Sequence, residues 1–162
     1  MERTRCVGTQ TVTINAAFLQ EIKDDNEQLR ALLKTARNLC EARSPADMRP
    51  RHFAALLAKL REQLAMHFSL EEAYGYFDEP LYVAPHLSEQ AQSLRRQHGE
   101  LYEEISGLAE AAANISSANG HLQVIRKLAH RVLDFHRRLE DHETQENSLI
   151  AEAYNLDIGV GD

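Results

Sequence analysis

The sequence predicts an all-α protein with an antiparallel up-down-up-down four-helix bundle, and three observations support this. Glycine and proline are sparse, at 7 and 4 of 162 residues, while Leu, Ala, Glu, Gln and Arg, all good helix formers, dominate. Apolar residues recur at steps of three and four along four long segments, which is typical of helices buried on one face. The connections between these segments are short, which favours antiparallel neighbours.

The first helix is predicted from about Asn15 to Glu41, with Thr13 or Asn15 as its cap. Its apolar face consists of Phe18, Ile22, Leu29, Leu33, Ala36 and Cys40. The segment RSPADMRP then interrupts the pattern, and Ser44 followed by Pro45 is typical of a cap and a first helical turn. The second helix therefore follows this segment and is predicted to run to about Phe77.

The inner face of the second helix repeats at steps of four and three: Phe53, Leu57, Leu60, Leu64, His67, Glu71 and Tyr74. The segment DEPLYVAP is expected to end it, with Pro80 and Pro85 as stops. The third helix is predicted from about His86 to Ala113, and its inner face consists of Leu87, Ala91, Leu94, His98, Leu101, Ile105, Leu108 and Ala112. After the loop SSANG, the fourth is predicted from about His121 to Tyr154, with an inner face of Ile125, Leu128, Val132, Phe135, Leu139, His142, Glu146 and Leu149.

Length, charge and cysteine content limit the function classes. The 162 residues suggest one bundle domain, residues 14–154, with an N-terminal tail 1–13 and a frayed C-terminal tail 155–162. The net charge of −7 argues against nucleic-acid binding, and no apolar run reaches the length of a membrane span. The first residues lack the apolar segment of a secretory signal, and two cysteines, Cys6 and Cys40, do not form a disulfide framework. We therefore expect a cytoplasmic protein with reduced thiols and with neither nucleic-acid nor membrane partners.

Polar residues interrupt the inner faces of three helices. The second and fourth helices each carry a HxxxE pair in apolar register, His67 with Glu71 and His142 with Glu146, and the third carries His98. Residues four apart lie on the same helix face, so each pair can direct an imidazole nitrogen and a carboxylate oxygen at a common point. Burying two glutamates without cations would cost several kcal/mol each. A single HxxxE pair is weak evidence, but the joint pattern favours a metal site.

Three segments resemble the hemerythrin-like (HHE) domain family: HFSLEEAY, QHGELYEEI and DHETQENSLI. The resemblance covers about Ile14 to Tyr154. It implies an antiparallel four-helix bundle with a non-haem di-iron centre, in which Glu71 and Glu146 bridge the metals while His67, His98 and His142 bind terminally. The implied cofactor is one or two iron ions, with or without an oxo bridge. Zinc is the alternative, because imidazole and carboxylate also suit zinc.

The first helix departs from the family pattern. The family has a histidine there, and Asn26 occupies that place within KDDNEQLRALL. An amide oxygen is a much weaker iron ligand than an imidazole, so one metal lacks a strong ligand. The neighbouring Asp25 could reach inward, although the helical phase disfavours it. Tyr102 stands where the oxygen carriers of the family have a second histidine on the third helix, which argues against an oxygen-carrying site. The predicted metal-site residues are His67, Glu71, His98, His142, Glu146 and Asn26.

Three functions are compatible with these residues. The first is a binding domain that senses or handles dioxygen, nitric oxide, peroxide or iron, with a small diatomic molecule or peroxide as its ligand and a separate protein as its output partner. The second is a degenerate, metal-free bundle that acts through protein contacts. The third is a di-metal oxidase or peroxidase. Ferritin-like oxidases typically use the order ExxH, whereas both pairs here read HxxxE, so the sequence favours a binding domain over an enzyme.

Overall fold

The computed structural model describes residues 16–42, 48–73, 75, 77–117 and 122–158. Within these ranges the chain is helical, with connections and no strands. Five α-helices and one 3₁₀ turn follow in chain order: α1 Ala16–Glu41, α2 Pro50–Ala73, α3 Asp78–Val83, the 3₁₀ turn Pro85–Leu87, α4 Ser88–Ser117 and α5 Leu122–Ile158. The predicted caps Thr13, Asn15 and Ser44, and the predicted core residue Tyr74, lie outside the described residues.

The four long helices pack around a common core. The helix α1 contacts α2 and α5, and α4 contacts the same two helices. The helices α4 and α5 are antiparallel, because Glu104 pairs with Arg138 while His98 pairs with Glu146. The all-α class is therefore confirmed, whereas the complete up-down-up-down order stays a prediction. No helix in the described part of the chain is long and apolar enough to cross a bilayer.

The end of α2 differs from the sequence expectation. The helix ends at Ala73, short of the predicted Phe77, because Gly75 adopts a left-handed conformation with φ of +59°. A Cβ atom there would collide with the side chain of Asp78, so this turn requires glycine. The first six residues of DEPLYVAP then form the short helix α3 instead of a plain break, since Pro80 lies in its first turn, where a missing N–H costs nothing.

The ends of the last two helices also differ from the prediction. The helix α4 extends to Ser117, beyond the predicted Ala113. The helix α5 extends to Ile158, so the first residues of the tail that was expected to be frayed are helical.

Buried apolar residues form two separate clusters. The larger cluster fills the centre of the bundle and includes Leu64, Phe68, Leu101 and Leu139. The smaller cluster joins α3 and the 3₁₀ turn to the ends of α4 and α5, and consists of Phe77, Ala84, Leu87, Ala91, Leu94, Leu149 and Ala153. The predicted apolar faces of α2, α4 and α5 are confirmed as the source of most of this core. Along α4 and α5, the predicted metal ligands lie between residues of the larger cluster and residues of the smaller cluster.

Candidate metal centre

A layer of polar side chains separates the two apolar clusters. On α4, His98 lies between buried Leu94 of the smaller cluster and buried Leu101 of the larger one. On α5, the pair His142 and Glu146 lies between Leu139 and Leu149 in the same way. All of these polar residues are buried, so burial follows the apolar register of each helix. We call His67, Glu71, His98, His142 and Glu146 the His/Glu cluster.

The HxxxE pair of α2 closes as its spacing predicts. Nε2 of His67 lies 3.1 Å from Oε1 of Glu71, and the Glu71 side chain is 12% exposed. The second carboxylate oxygen, Oε2, lies 3.5 Å from Nε2 of His98 on α4. Glu71 therefore stands between an imidazole of its own helix and an imidazole of the neighbouring helix.

The groups of α4 and α5 lie closer still. Nε2 of His98 lies 3.2 Å and Nε2 of His142 lies 3.1 Å from the same atom, Oε1 of Glu146. One ligand atom from each of these three buried residues lies within 4.8 Å of the other two. Such proximity would let these residues bind one ion.

Each imidazole of the His/Glu cluster is also held from behind by an oxygen. Nδ1 of His67 lies 2.9 Å from Asp25 Oδ2. Nδ1 of His98 lies 3.3 Å from Glu72 Oε1, and Nδ1 of His142 lies 3.0 Å from Gln97 Oε1. A carboxylate or amide oxygen can only accept, so each Nδ1 carries the proton and donates. All three Nε2 atoms are therefore left to face the carboxylates of the cluster, where they can bind a metal.

Two buried atoms of the cluster lack hydrogen-bond partners, namely Glu71 Oε2 and His142 Nε2. His142 Nε2 is 3.1 Å from Glu146 Oε1, but the two atoms do not meet the geometry of a hydrogen bond. Leaving a buried polar atom unsatisfied costs about 1–3 kcal/mol, and more for a charged group. A cation bound by the carboxylate and the imidazole would satisfy both atoms, so the donor set fits a metal.

The cluster also shifts the pKa values of its members. Burial alone would lower the pKa of His67, but its hydrogen bonds and charge interactions with Glu71 and Asp25 prevail and raise it to about 9. The pKa of His98 is raised in the same way, because burial is outweighed by Glu146 and Glu71. Burial would raise the pKa of Glu146, yet the nearby His142 and His98 imidazoles, the latter also through a hydrogen bond, hold it below its usual value. Without a metal, the imidazoles of His67 and His98 thus hold a proton more tightly than usual, and Glu146 holds one less tightly.

The contribution of α1 differs from the sequence expectation. Asp25, not Asn26, is the buried polar residue of this helix, with 6% of its surface exposed, whereas Asn26 is half-buried. Asp25 turns inward because both of its oxygens have partners on α2: Gln63 Nε2 donates to Oδ1 at 2.6 Å, and His67 Nδ1 donates to Oδ2. The helical phase of α1 was estimated from its apolar residues alone, and these do not reveal the hydrogen-bond partners on α2. Within the described part of the chain, no contact is found between Asn26 and the other five predicted ligands.

Several other neighbours of the site were also missed. The ring of Phe68 stacks on His98 with centroids 4.2 Å apart and meets His142 edge-on at 5.9 Å. The sequence places Phe68 directly after His67, at the border of the apolar face, and this position could have indicated that it contacts the site. Gln63 could have been found as well, because it lies one turn before His67 on the same helix face.

Tyr102 and the other histidines of the chain are not members of the His/Glu cluster. Tyr102 is 41% exposed, whereas His98, one turn before it on α4, is buried. His52, His86 and His130 are exposed, and His121 lies outside the described residues. His136 is buried and pairs with Glu140 at 3.4 Å.

Glu143 is an acidic neighbour of the site that the sequence pattern did not single out. It is half-buried on α5, next to His142. Burial raises its pKa, the charges of His67 and Arg30 oppose that change, and Glu146 and Glu71 add to it. The His/Glu cluster therefore has a further acidic side chain within electrostatic reach.

Comparison with known proteins agrees with this geometry. The family model of the hemerythrin HHE cation-binding domain matches residues 17–154, which is most of the chain. A search of curated proteins and a search of solved structures each gave no match. The match includes all five members of the His/Glu cluster and both apolar clusters of the bundle. The chain belongs to the hemerythrin HHE cation-binding domain family.

Proposed function

We propose that this cation-binding domain holds non-haem iron and uses it to sense or handle a small molecule, namely dioxygen, nitric oxide or peroxide, or to respond to the iron level itself. The observation that carries the proposal is the convergence of three imidazole Nε2 atoms and two carboxylates in a buried layer. Mixed nitrogen and oxygen donors suit iron, which supplies redox chemistry and open positions for a small ligand when bound.

The donors divide unequally between two metal positions. His98, His142 and Glu146 lie within 4.8 Å of one another, and Glu71 Oε2 lies next to His98, so this side offers up to four donors. Among the described residues, the contacts on the other side are those of His67 and Glu71, because α1 contains no histidine. We therefore propose that one ion binds tightly on the side of α4 and α5, and that a second binds more weakly beside His67.

The surroundings of the cluster control access to this site. Apolar clusters lie on both sides of the layer, and Phe68 covers the face of His98. Water is therefore kept from the imidazoles, which favours small, uncharged ligands over bulky or charged substrates. The same burial makes an unoccupied cluster costly, which argues against the metal-free bundle as the working state.

An anaerobic titration tests the proposal. Purified protein is titrated with ferrous iron and then exposed to dioxygen or nitric oxide, while the near-ultraviolet and visible absorption is recorded. We expect saturable binding and new absorption bands on exposure to the gas. Glu146→Ala should lose both, and Glu103→Ala, which removes an exposed glutamate of α4, should retain both. Binding of zinc with no iron bands would contradict the assignment of iron, and bands in both variants alike would contradict the site.

A further inference from the structure

We infer that Asp25 is a positioning residue for His67. The helix α1 lacks a metal ligand, and Asp25 supplies instead a hydrogen-bond acceptor that directs Nε2 of His67 towards Glu71. The inference rests on the proposed metal site and goes beyond it, because Asp25 belongs neither to the HxxxE pairs nor to the predicted ligands. It also explains why α1 contributes to the cluster although Asn26 stands in the ligand position.

The geometry shows what Asp25 does. Its two oxygens are both engaged, Oδ1 by Gln63 at 2.6 Å and Oδ2 by His67 at 2.9 Å. The Gln63 amide fixes the carboxylate, and the carboxylate fixes the imidazole, so the three side chains form a chain Gln63–Asp25–His67 that spans α1 and α2. The described contacts of Asp25 are thus hydrogen bonds to α2 that orient the His67 ring.

Asp25 differs from the acceptors behind the other two imidazoles. Glu72, behind His98, has a side chain that is 58% exposed and lies 3.3 Å away, so water screens its charge. Gln97, behind His142, is a neutral amide. Of the three acceptors, Asp25 alone is a buried carboxylate, with a side chain 5% exposed. A buried charge close to Nδ1 fixes the tautomer and strengthens the donor ability of Nε2, which matters most on the side of the site with the fewest ligands.

Partners that orient a ligand histidine typically contribute about 10- to 100-fold in metal affinity. We therefore expect Asp25→Ala to weaken binding of the second, weaker ion by about this factor without lowering the number of ions bound at saturation. Asp25→Asn should have a smaller effect, because an amide oxygen still accepts from His67 while the charge is lost. Glu27→Gln is the matched control, since it removes one negative charge from an exposed position of the same helix.

The test combines metal titration with a direct view of the hydrogen bond. Wild-type protein, Asp25→Ala, Asp25→Asn and Glu27→Gln are titrated with zinc, a diamagnetic metal, and circular dichroism verifies their helical content. Nuclear magnetic resonance of the zinc-loaded proteins then reports the Nδ1 proton of His67, which a hydrogen bond to a carboxylate shifts strongly downfield. We expect this signal in wild type and Glu27→Gln, a weaker shift in Asp25→Asn, and its loss in Asp25→Ala together with the loss of affinity.

Each other outcome has a distinct meaning. Wild-type affinity and an unchanged Nδ1 signal in Asp25→Ala would overturn the positioning role while leaving the metal site intact. Loss of one bound ion at saturation in Asp25→Ala and in Asp25→Asn would show that Asp25 is itself a ligand, and would also overturn it. Failure of the wild-type protein to bind zinc, and likewise iron, would overturn the proposed function together with this inference.

Discussion

Glu71 on α2 lies within reach of His98 on α4, with Oε2 and Nε2 3.5 Å apart, and this contact joins the two HxxxE pairs into one cluster. Without it, His67 and Glu71 would form one local pair and the residues of α4 and α5 another. Because His98 also contacts Glu146 at 3.2 Å, it is the imidazole that borders both carboxylates. The most sensitive position for metal binding should therefore be His98.

His98→Ala is expected to lower metal affinity by more than about 100-fold, since even partners that only orient a ligand contribute up to that factor. The substitution removes one of three imidazoles and leaves Glu71 and Glu146 without the nitrogen between them. The measurement is metal content per chain after purification and dialysis. His130→Ala, which removes an exposed histidine of α5, should retain the wild-type content. Equal content in both variants would remove His98 from the ligand set.

Asn26→Ala distinguishes the contribution of Asn26 to metal binding from that of its neighbour Asp25. Because Asn26 is half-buried and Asp25 makes the contact with the cluster, this change should alter metal affinity by less than about threefold, well below the effect of losing a residue that orients a ligand. The readout is the same metal titration used for Asp25→Ala. A loss of affinity as large as that of Asp25→Ala would restore Asn26 to the ligand set that the sequence predicted.

Stability of the metal-free protein should depend on pH through His67. Its pKa is about 9 when folded, against an ordinary value of 6.5, so the folded state holds the proton more tightly. The resulting stabilisation is fully present below pH 6.5 and is lost as the pH rises through 9. It amounts to about 3 kcal/mol at most, from 1.36 kcal/mol per pKa unit.

Two carboxylates contact this imidazole, Asp25 of α1 and Glu71 of α2, and Glu143 of α5 lies within electrostatic reach of it. Urea unfolding in the presence of chelator, at pH values from 6 to 9.5, measures the dependence. The fall in free energy of unfolding should be much smaller in His67→Gln, which cannot take up the proton. A profile in wild type that is as flat as that of the variant would show that His67 is not ion-paired in the folded protein.

Metal removal should loosen one end of the bundle more than the other. The His/Glu cluster lies between the two apolar clusters, so without a cation the smaller one is attached through a layer of buried charges. Its share of the apolar core is small, and regions with few apolar contacts open first. Amide hydrogen exchange along α3 and the 3₁₀ turn should accelerate by up to about 100-fold on chelation, the factor expected for metal at about 100 times its Kd.

The larger cluster serves as the internal control for that measurement. Amides of α4 and α5 near Ile105 and Phe135, both fully buried, should change much less. Uniform acceleration throughout the chain would mean that the protein opens as one unit and that the metal does not connect two parts.

The five members of the His/Glu cluster could be predicted as inward-facing because each occupies an apolar position in its own helix. Periodicity fixes the direction of a side chain to within about one residue, or 100° on a helix. That precision was sufficient for α2, α4 and α5, where many apolar residues define the buried face. It was insufficient for α1, where Asp25 and Asn26 are adjacent and hydrogen bonds to α2 decide which one is buried.

The oxygens behind the imidazoles were also beyond the reach of periodicity. Glu72 and Gln97 lie off the apolar faces, and their contacts with His98 and His142 depend on the relative positions of two helices and on side-chain rotamers. The early end of α2 had a local cause, because Gly75 takes a backbone conformation that only glycine adopts easily. The helix α3 is not apparent from the sequence, because proline is typical of helix ends and Pro80 here lies within a first turn.

The most direct test of the buried metal site is elemental analysis of protein isolated from iron-replete cells without added metal. The arrangement of three imidazoles and two carboxylates in one buried layer predicts between one and two iron ions per chain, and a midpoint of thermal unfolding that falls when a chelator removes them. A metal-free preparation whose unfolding midpoint is unchanged by chelator would contradict the account.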